Sequence, residues 1–156
     1  MASLIGGIYG ALYDQITYTI CSEFFTKMRF VEHGIVGDVN NRWEVAKIGY
    51  KNTWGVGLGL GIFLSLAGLL HSDNKKMVII TLKGFALAMF TSFLFAMIAF
   101  LFTDSSADIA DRINVVDKIA FNKVIRMNNY SYVGGIIGMF LGLGWQVLNT
   151  RQHIRK

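Results

Sequence analysis

The sequence predicts an all-α integral membrane protein, a four-helix bundle with amphipathic helices in its two long connections. Three observations carry that prediction. First, 53% of the 156 residues are hydrophobic and only 16% are charged, against about 25% charged in an ordinary soluble domain. A soluble chain of this size could not hide so much apolar surface. Second, positions 52–72, 84–103 and 128–150 hold no Asp, Glu, Lys or Arg. Each window matches the ~20 residues a helix needs to cross ~30 Å of hydrocarbon. Third, small residues recur four apart in every apolar segment, the spacing that lets membrane helices approach closely.

The chain reads as one transmembrane domain over 1–156. The first span is 2–20, apolar and small up to Leu12 and then polar at Tyr13, Asp14, Gln15, Thr17, Tyr18 and Thr19. On a helix Leu12, Ile16, Ile20 and Phe24 share a face, opposite Gln15, Thr19, Ser22, Thr26 and Arg29. The connection 22–51 follows. Ser22-Glu23 suits the start of a helical turn, and Glu23 and Lys27 stand at the favourable i, i+4 spacing. From Phe30 to Asn41 the chain reads as irregular, with Gly34, Gly37 and Asn40-Asn41. A short amphipathic helix from about Asn41 carries Trp43, Tyr50 and Trp54 on one face, as aromatic anchors in the headgroup layer.

The second span is 53–70 and the third 77–102, joined by a short turn through His71, Ser72, Asp73, Asn74, Lys75 and Lys76. Lys83, near the start of the third span, is long enough to snorkel to the interface. The connection 104–127 reads as an amphipathic helix with an apolar stripe of Ile109, Ile113, Val116, Ala120, Val124 and Met127. Its acids come early (Asp104, Asp108, Asp111) and its bases late (Lys118, Lys123, Arg126), the order a helix dipole favours. The fourth span is 130–148, followed by a basic tail.

Packing positions are expected at Gly6 and Gly10, at Gly55 and Gly59 with the parallel series Gly57 and Gly61, and at Gly134, Gly138 and Gly142. Residues Gly84, Ala88, Ser92 and Ala96 form the matching series on the third span. Intramolecular packing is the main expectation, and self-association through one series is the alternative. The chain has no proline, so the spans are expected to be continuous helices.

The net charge of +5 reads as topology and attraction to anionic headgroups, because the bases flank the apolar runs; no nucleic-acid partner is implied. Lys75, Lys76, Arg151, Arg155 and Lys156 place the short turn and both termini in the cytoplasm by the positive-inside rule. The single cysteine, Cys21, excludes an internal disulfide, and its neighbours do not make it a nucleophile. Glu23, Glu32 and His33 have no metal-site spacing, so neither a metal nor a cofactor is expected.

Asp14 is the most informative residue. A carboxylate in or near the bilayer is costly and is a functional hypothesis by default. Together with Gln15 and Tyr18, and with Lys83 or Arg29 nearby, it would form a proton or cation site. Against this stands a helix that leaves the membrane early, or a structural partnership with Tyr or Lys.

The stretch from Tyr9 to Phe30, centred on Asp14-Gln15-Ile16-Thr17-Tyr18 and Glu23-Phe24-Phe25-Thr26-Lys27, resembles the opening of a family of small bacterial membrane proteins without an assigned reaction. This chain departs from the pattern at Cys21-Ser22-Glu23, where the family has a proline before the glutamate. The resemblance covers about 22 residues closely and implies a bacterial inner-membrane setting. Two substantial amphipathic connections without a recognisable catalytic cluster lead to the expected function, a non-enzymatic subunit or accessory protein of a membrane complex, with those connections as a recognition cap. The alternative is a small oligomeric transporter or channel using the carboxylate in the first helix. The expected partners are the lipid bilayer and other membrane proteins or a second copy.

Overall fold

Glycine against glycine sets the architecture. The computed structural model describes residues 1–36, 41–69, 74–103 and 114–154, with side chains at 1–36, 41–69, 75–103 and 114–149. Every regular element among them is helical. Helix α1 (Ala2–Ile20) lies antiparallel to α4 (Asn41–Gly68). A β-carbon on Gly6 would stand 2.7 Å from the Gly57 Cα, and one on Gly10 would collide with Thr53 and the Gly49 carbonyl. The Thr53 hydroxyl is 2.9 Å from the Gly6 carbonyl and 2.7 Å from that of Gly49, so it donates within the contact itself.

The second pair is α5 (Asn74–Phe102) against α6 (Lys118–Ile154). A β-carbon on Gly138 would stand 2.6 Å from the Ala88 Cα, one on Gly134 2.7 Å from the Thr91 carbonyl oxygen, and one on Gly142 3.0 Å from that of Gly84. Contact between the pairs is thinner. Fully buried Leu64 of α4 reaches Gly84 and Gly142, and Gly68 meets Thr81 and Met77.

Helices α5 and α6 are long and apolar enough to cross a membrane, over Lys75–Phe102 (mean hydropathy 2.3) and Lys118–Asn149 (1.4). Among the described residues the expectation of four such segments is met in part, by these two helices. The polar second half of α1, and in α4 the Lys51-Asn52-Thr53 stretch with the glycines that follow, make α1 and α4 less apolar. Two boundaries also differ. The amphipathic stretch from Asn41 and the second span form one helix of 28 residues. The end of the second connection and the fourth span form one helix of 37 residues. Nothing in either junction breaks the i to i−4 ladder, because a change from charged to apolar side chains does not end a helix; a proline or a left-handed residue does.

The stretch after α1 is more regular than expected. Cys21 is extended (φ −148°) and breaks the chain direction. Helix α2 (Ser22–Phe24), a π-helical turn (Phe25–Arg29) and α3 (Phe30–Glu32) follow without interruption. Cys21, not Ser22, is the N-cap of α2, and it makes no side-chain cap bond. The wider π turn brings Phe30 round to the side of Phe25, where Phe24, Phe25, Phe30 and Phe121 pack edge to face with ring centroids 5.3–6.5 Å apart. Gly34, at φ 66°, ends this run. The Ile35 N–H reaches back to the Phe30 carbonyl and the Gly34 N–H to that of Val31, a Schellman closure that needs a left-handed residue.

The result is an aromatic core beyond one end of the helix pairs. It is built from Phe24, Phe25 and Phe30, from Val45 and Ile48 of α4, and from Val115, Phe121 and Val124. Helix α6 begins here. The Asp117 carboxylate accepts the Ala120 N–H at 2.9 Å, an N-cap. Helix α6 therefore starts at Lys118, inside the single amphipathic helix expected over 104–127. Of the expected stripe, Val124 and Met127 are fully buried and Ala120 half-buried, whereas Val116 precedes the helix and is 88% exposed. Ile109, Ile113 and the three early acids lie outside the described residues, as do His71, Ser72 and Asp73.

Candidate functional site

Helix α1 presents two inward faces. Gly6 and Gly10 turn to α4, while Tyr9, Tyr13 and Asp14 turn to the space between the helix pairs. Only small residues allow α1 and α4 to touch backbone to backbone, and that contact fixes how far the tyrosines reach toward α5 and α6. The Tyr9 hydroxyl donates to Ser92 Oγ at 3.3 Å, and Ser92 donates to the Ser131 carbonyl at 2.9 Å. This relay joins α1, α5 and α6. The Tyr9 and Tyr13 rings stack with centroids 6.0 Å apart.

Beside the relay lies a cavity of about 300 Å³, walled by all four long helices. Its polar end holds Asp14, Arg29, Asn52, Asn128, Ser131 and Tyr132; its apolar end holds Val56, Leu60, Phe85, Met89, Ile136 and Met139. Two groups at the polar end lack ordinary satisfaction. Tyr13 is 6% exposed and its hydroxyl meets no partner in hydrogen-bond geometry, Ser131 being a polar neighbour. The Asn128 amide nitrogen is buried without a hydrogen bond. Buried polar groups left this way are costly unless something fills the space beside them.

The expected trio of Asp14, Gln15 and Tyr18 is divided between two places. Asp14 is half-buried and faces the cavity. Gln15 and Tyr18 receive Arg42 at the start of α4. The Gln15 amide donates to the Arg42 carbonyl at 2.8 Å and its oxygen accepts from the guanidinium at 3.1 Å. That guanidinium sits 5.3 Å above the Tyr18 ring and 3.3 Å from the Thr19 hydroxyl. On a helix, residues i and i+1 are 100° apart, so neighbours in sequence point to different partners.

Of the two bases expected near Asp14, Arg29 lines the cavity. It also pairs with Glu32 at 3.1 Å and lies 5.3 Å over Phe24. Lys83 is elsewhere, 6.0 Å above the Trp145 ring. Glu23 turns to the start of α6, with its carboxylate accepting the N–H groups of Val116 and Asp117 at 3.0 Å. Lys27 grips the same carboxylate at 2.7 Å and donates to the Asn114 carbonyl. Glu23, Glu32 and His33 do not converge, and among the described residues no group of three His, Cys, Asp or Glu could hold a metal ion.

The packing glycines fall on both sides of the expectation. Gly6, Gly10, Gly134, Gly138 and Gly142 lie in helix contacts, as do Gly57 and Gly61, whereas Gly55 and Gly59 face open space. Register decides this, because positions two apart on a helix point about 200° apart. Trp43, Tyr50 and Trp54 are exposed, and the Tyr50 ring also covers Gly7. From Trp43 to Trp54 the helix rises roughly 16 Å, so the three are spread along its axis.

Sequence reasoning passed over Tyr9, Tyr13, Asn52, Asn128, Ser131 and Tyr132. Their signal is faint. Each is an uncharged polar residue within or at the edge of an apolar run, and only the fold brings them together. No family model, curated protein or solved structure matches this chain.

Proposed function

We propose that the chain is a multi-pass protein of the bacterial inner membrane, a four-helix bundle that binds a small ligand in the cavity beside Asp14. The cavity itself carries this reading. A space of about 300 Å³ with a polar and an apolar end fits a small amphiphilic molecule. This favours the transporter-like alternative, which uses the carboxylate of the first helix. The membrane setting draws on α5 and α6 and on the outer faces of the other two helices. Leu4, Ile8, Leu12 and Ile16 of α1, and Leu58, Ile62, Phe63 and Leu66 of α4, are all exposed, an apolar belt suited to lipid. The resemblance of Tyr9–Phe30 to a bacterial membrane family supports the inner membrane. Lys75 and Lys76 support cytoplasmic termini.

The setting is tested by replacing Cys21 with serine and placing single cysteines at Leu12 and Leu66. In native membranes both are expected to resist a water-soluble maleimide and to react once detergent is added. Rapid labelling of both in intact membranes would refute a four-span bundle.

A second reading, the accessory subunit, is favoured by exposed apolar side chains on the aromatic cap: Val31, Val36 (90% exposed) and Val116 (88%). A photocrosslinker at Val116 is expected to trap one defined membrane protein. Crosslinks to lipid and bulk protein alone would sink that reading.

A further inference from the structure

This inference rests on the cavity reading and concerns which ligand the cavity takes. We propose that the occupant is an organic cation with an apolar body, its charge seated between the Asp14 carboxylate and the rings of Tyr9, Tyr13 and Tyr132.

Charge balance at the polar end points this way. Arg29 is the cavity's basic residue, but its charge is already met by the Glu32 carboxylate at 3.1 Å and by the Phe24 face. The neighbouring bases are engaged as well. Lys27 is held by Glu23, Arg42 by Gln15 and Thr19, and Lys123 by the Phe100 ring at 4.8 Å. Asp14, by contrast, forms no salt bridge among the described residues. Arg29 also acts on Asp14 through space, but with Glu32 beside it the two carboxylates outweigh one guanidinium, so the balance of charge at the polar end is negative. An anionic ligand would face this carboxylate and would have to draw Arg29 away from Glu32. A neutral ligand would bring Asp14 no further counter-charge, so the carboxylate would either bear the desolvation or take up a proton.

The aromatic residues add to the preference. Three tyrosine rings line the cavity with Asp14, and ring faces attract cations, most strongly organic ones that shed water easily. The apolar end, from Val56 and Leu60 to Phe85 and Met89, would cover the ligand's body. The volume limits that body to a small one, at the low end of the range for binding pockets.

Three probes of one shape separate the possibilities: benzyltrimethylammonium, its neutral carbon analogue neopentylbenzene, and phenylmethanesulfonate. Each is titrated against the full chain in detergent, with binding read by ligand-detected NMR. Wild type is expected to bind the cation roughly tenfold or more tightly than either analogue. Asp14→Asn removes that preference, and Asp14→Glu keeps it. Gly135→Leu supplies the control for the cavity. Its β-carbon would meet nothing nearer than 3.9 Å, so the side chain extends into the space without displacing backbone, and all three probes should lose affinity. Equal binding of the three probes, or an unchanged preference in Asp14→Asn, overturns the cation class while leaving the cavity standing. Full cation binding by Gly135→Leu, or no binding of any probe to wild type, overturns the cavity reading itself.

Discussion

Glu23 directs its carboxylate at backbone N–H groups from far along the chain, and its own ionisation is shaped by that contact. Lys27 foremost, then the amides of Asp117 and Val116, hold its pKa below the ordinary glutamate value. A carboxylate with a lowered folded-state pKa stabilises the fold above its unfolded pKa, and the contribution is lost as pH falls through the folded value. Glu23→Gln is therefore expected to melt earlier than wild type at neutral pH, with the gap closing in acid once both side chains are neutral. A gap of the same size at every pH would show that the clasp does not act through charge. Sequence gave the Glu23–Lys27 pair through its spacing, but not the amides it serves, because they lie across the fold. Asp14 and Gln15 show the same limit. Adjacency in sequence suggested one site, whereas the 100° step of the helix sends one side chain to the cavity and the other to Arg42.

Among elements, the α5–α6 contact is the most sensitive to a single added side chain. Gly138→Leu would drive a branched side chain into the Ala88 backbone, with an expected cost on the order of 3 kcal/mol in overpacking and strain. Gly55→Leu, facing open space, is expected to change stability by less than about 0.5 kcal/mol. Thermal unfolding in detergent compares them, and a fall in Gly55→Leu matching that of Gly138→Leu would mean the α4 register is wrong. The four glycines from Gly55 to Gly61 explain why sequence could not choose between the two series. Both have the spacing for close packing, and only the partner selects one. Helix boundaries were hidden for a related reason. The start of α6 is marked by Asp117, a residue that reads as one more acid in a charged stretch until the Ala120 amide is found beneath it.

At the scale of the whole molecule, two tight helix pairs are joined by thinner contacts, and the space between them is the cavity. The apolar segments were legible because charge is costly in oil, and their small-residue spacing foretold close pairs. The cavity was not legible. Its wall takes one to three neutral polar residues from each of four helices, and Asn52 and Asn128 look in sequence like mere edges of apolar runs. Helix α6 runs unbroken from the aromatic cap to the far end of the pairs, about 55 Å at 1.5 Å per residue. Its two halves thus share a single angular phase. One alanine inserted after Asn129 should turn Gly134, Gly138 and Gly142 about 100° off their partner and cause deep loss of stability. Seven alanines return the face to within about 20° and should cost much less, though the added length of roughly 10 Å would pull Val116 and Asp117 from Glu23. Equal damage from both insertions would mean that the two halves keep time independently.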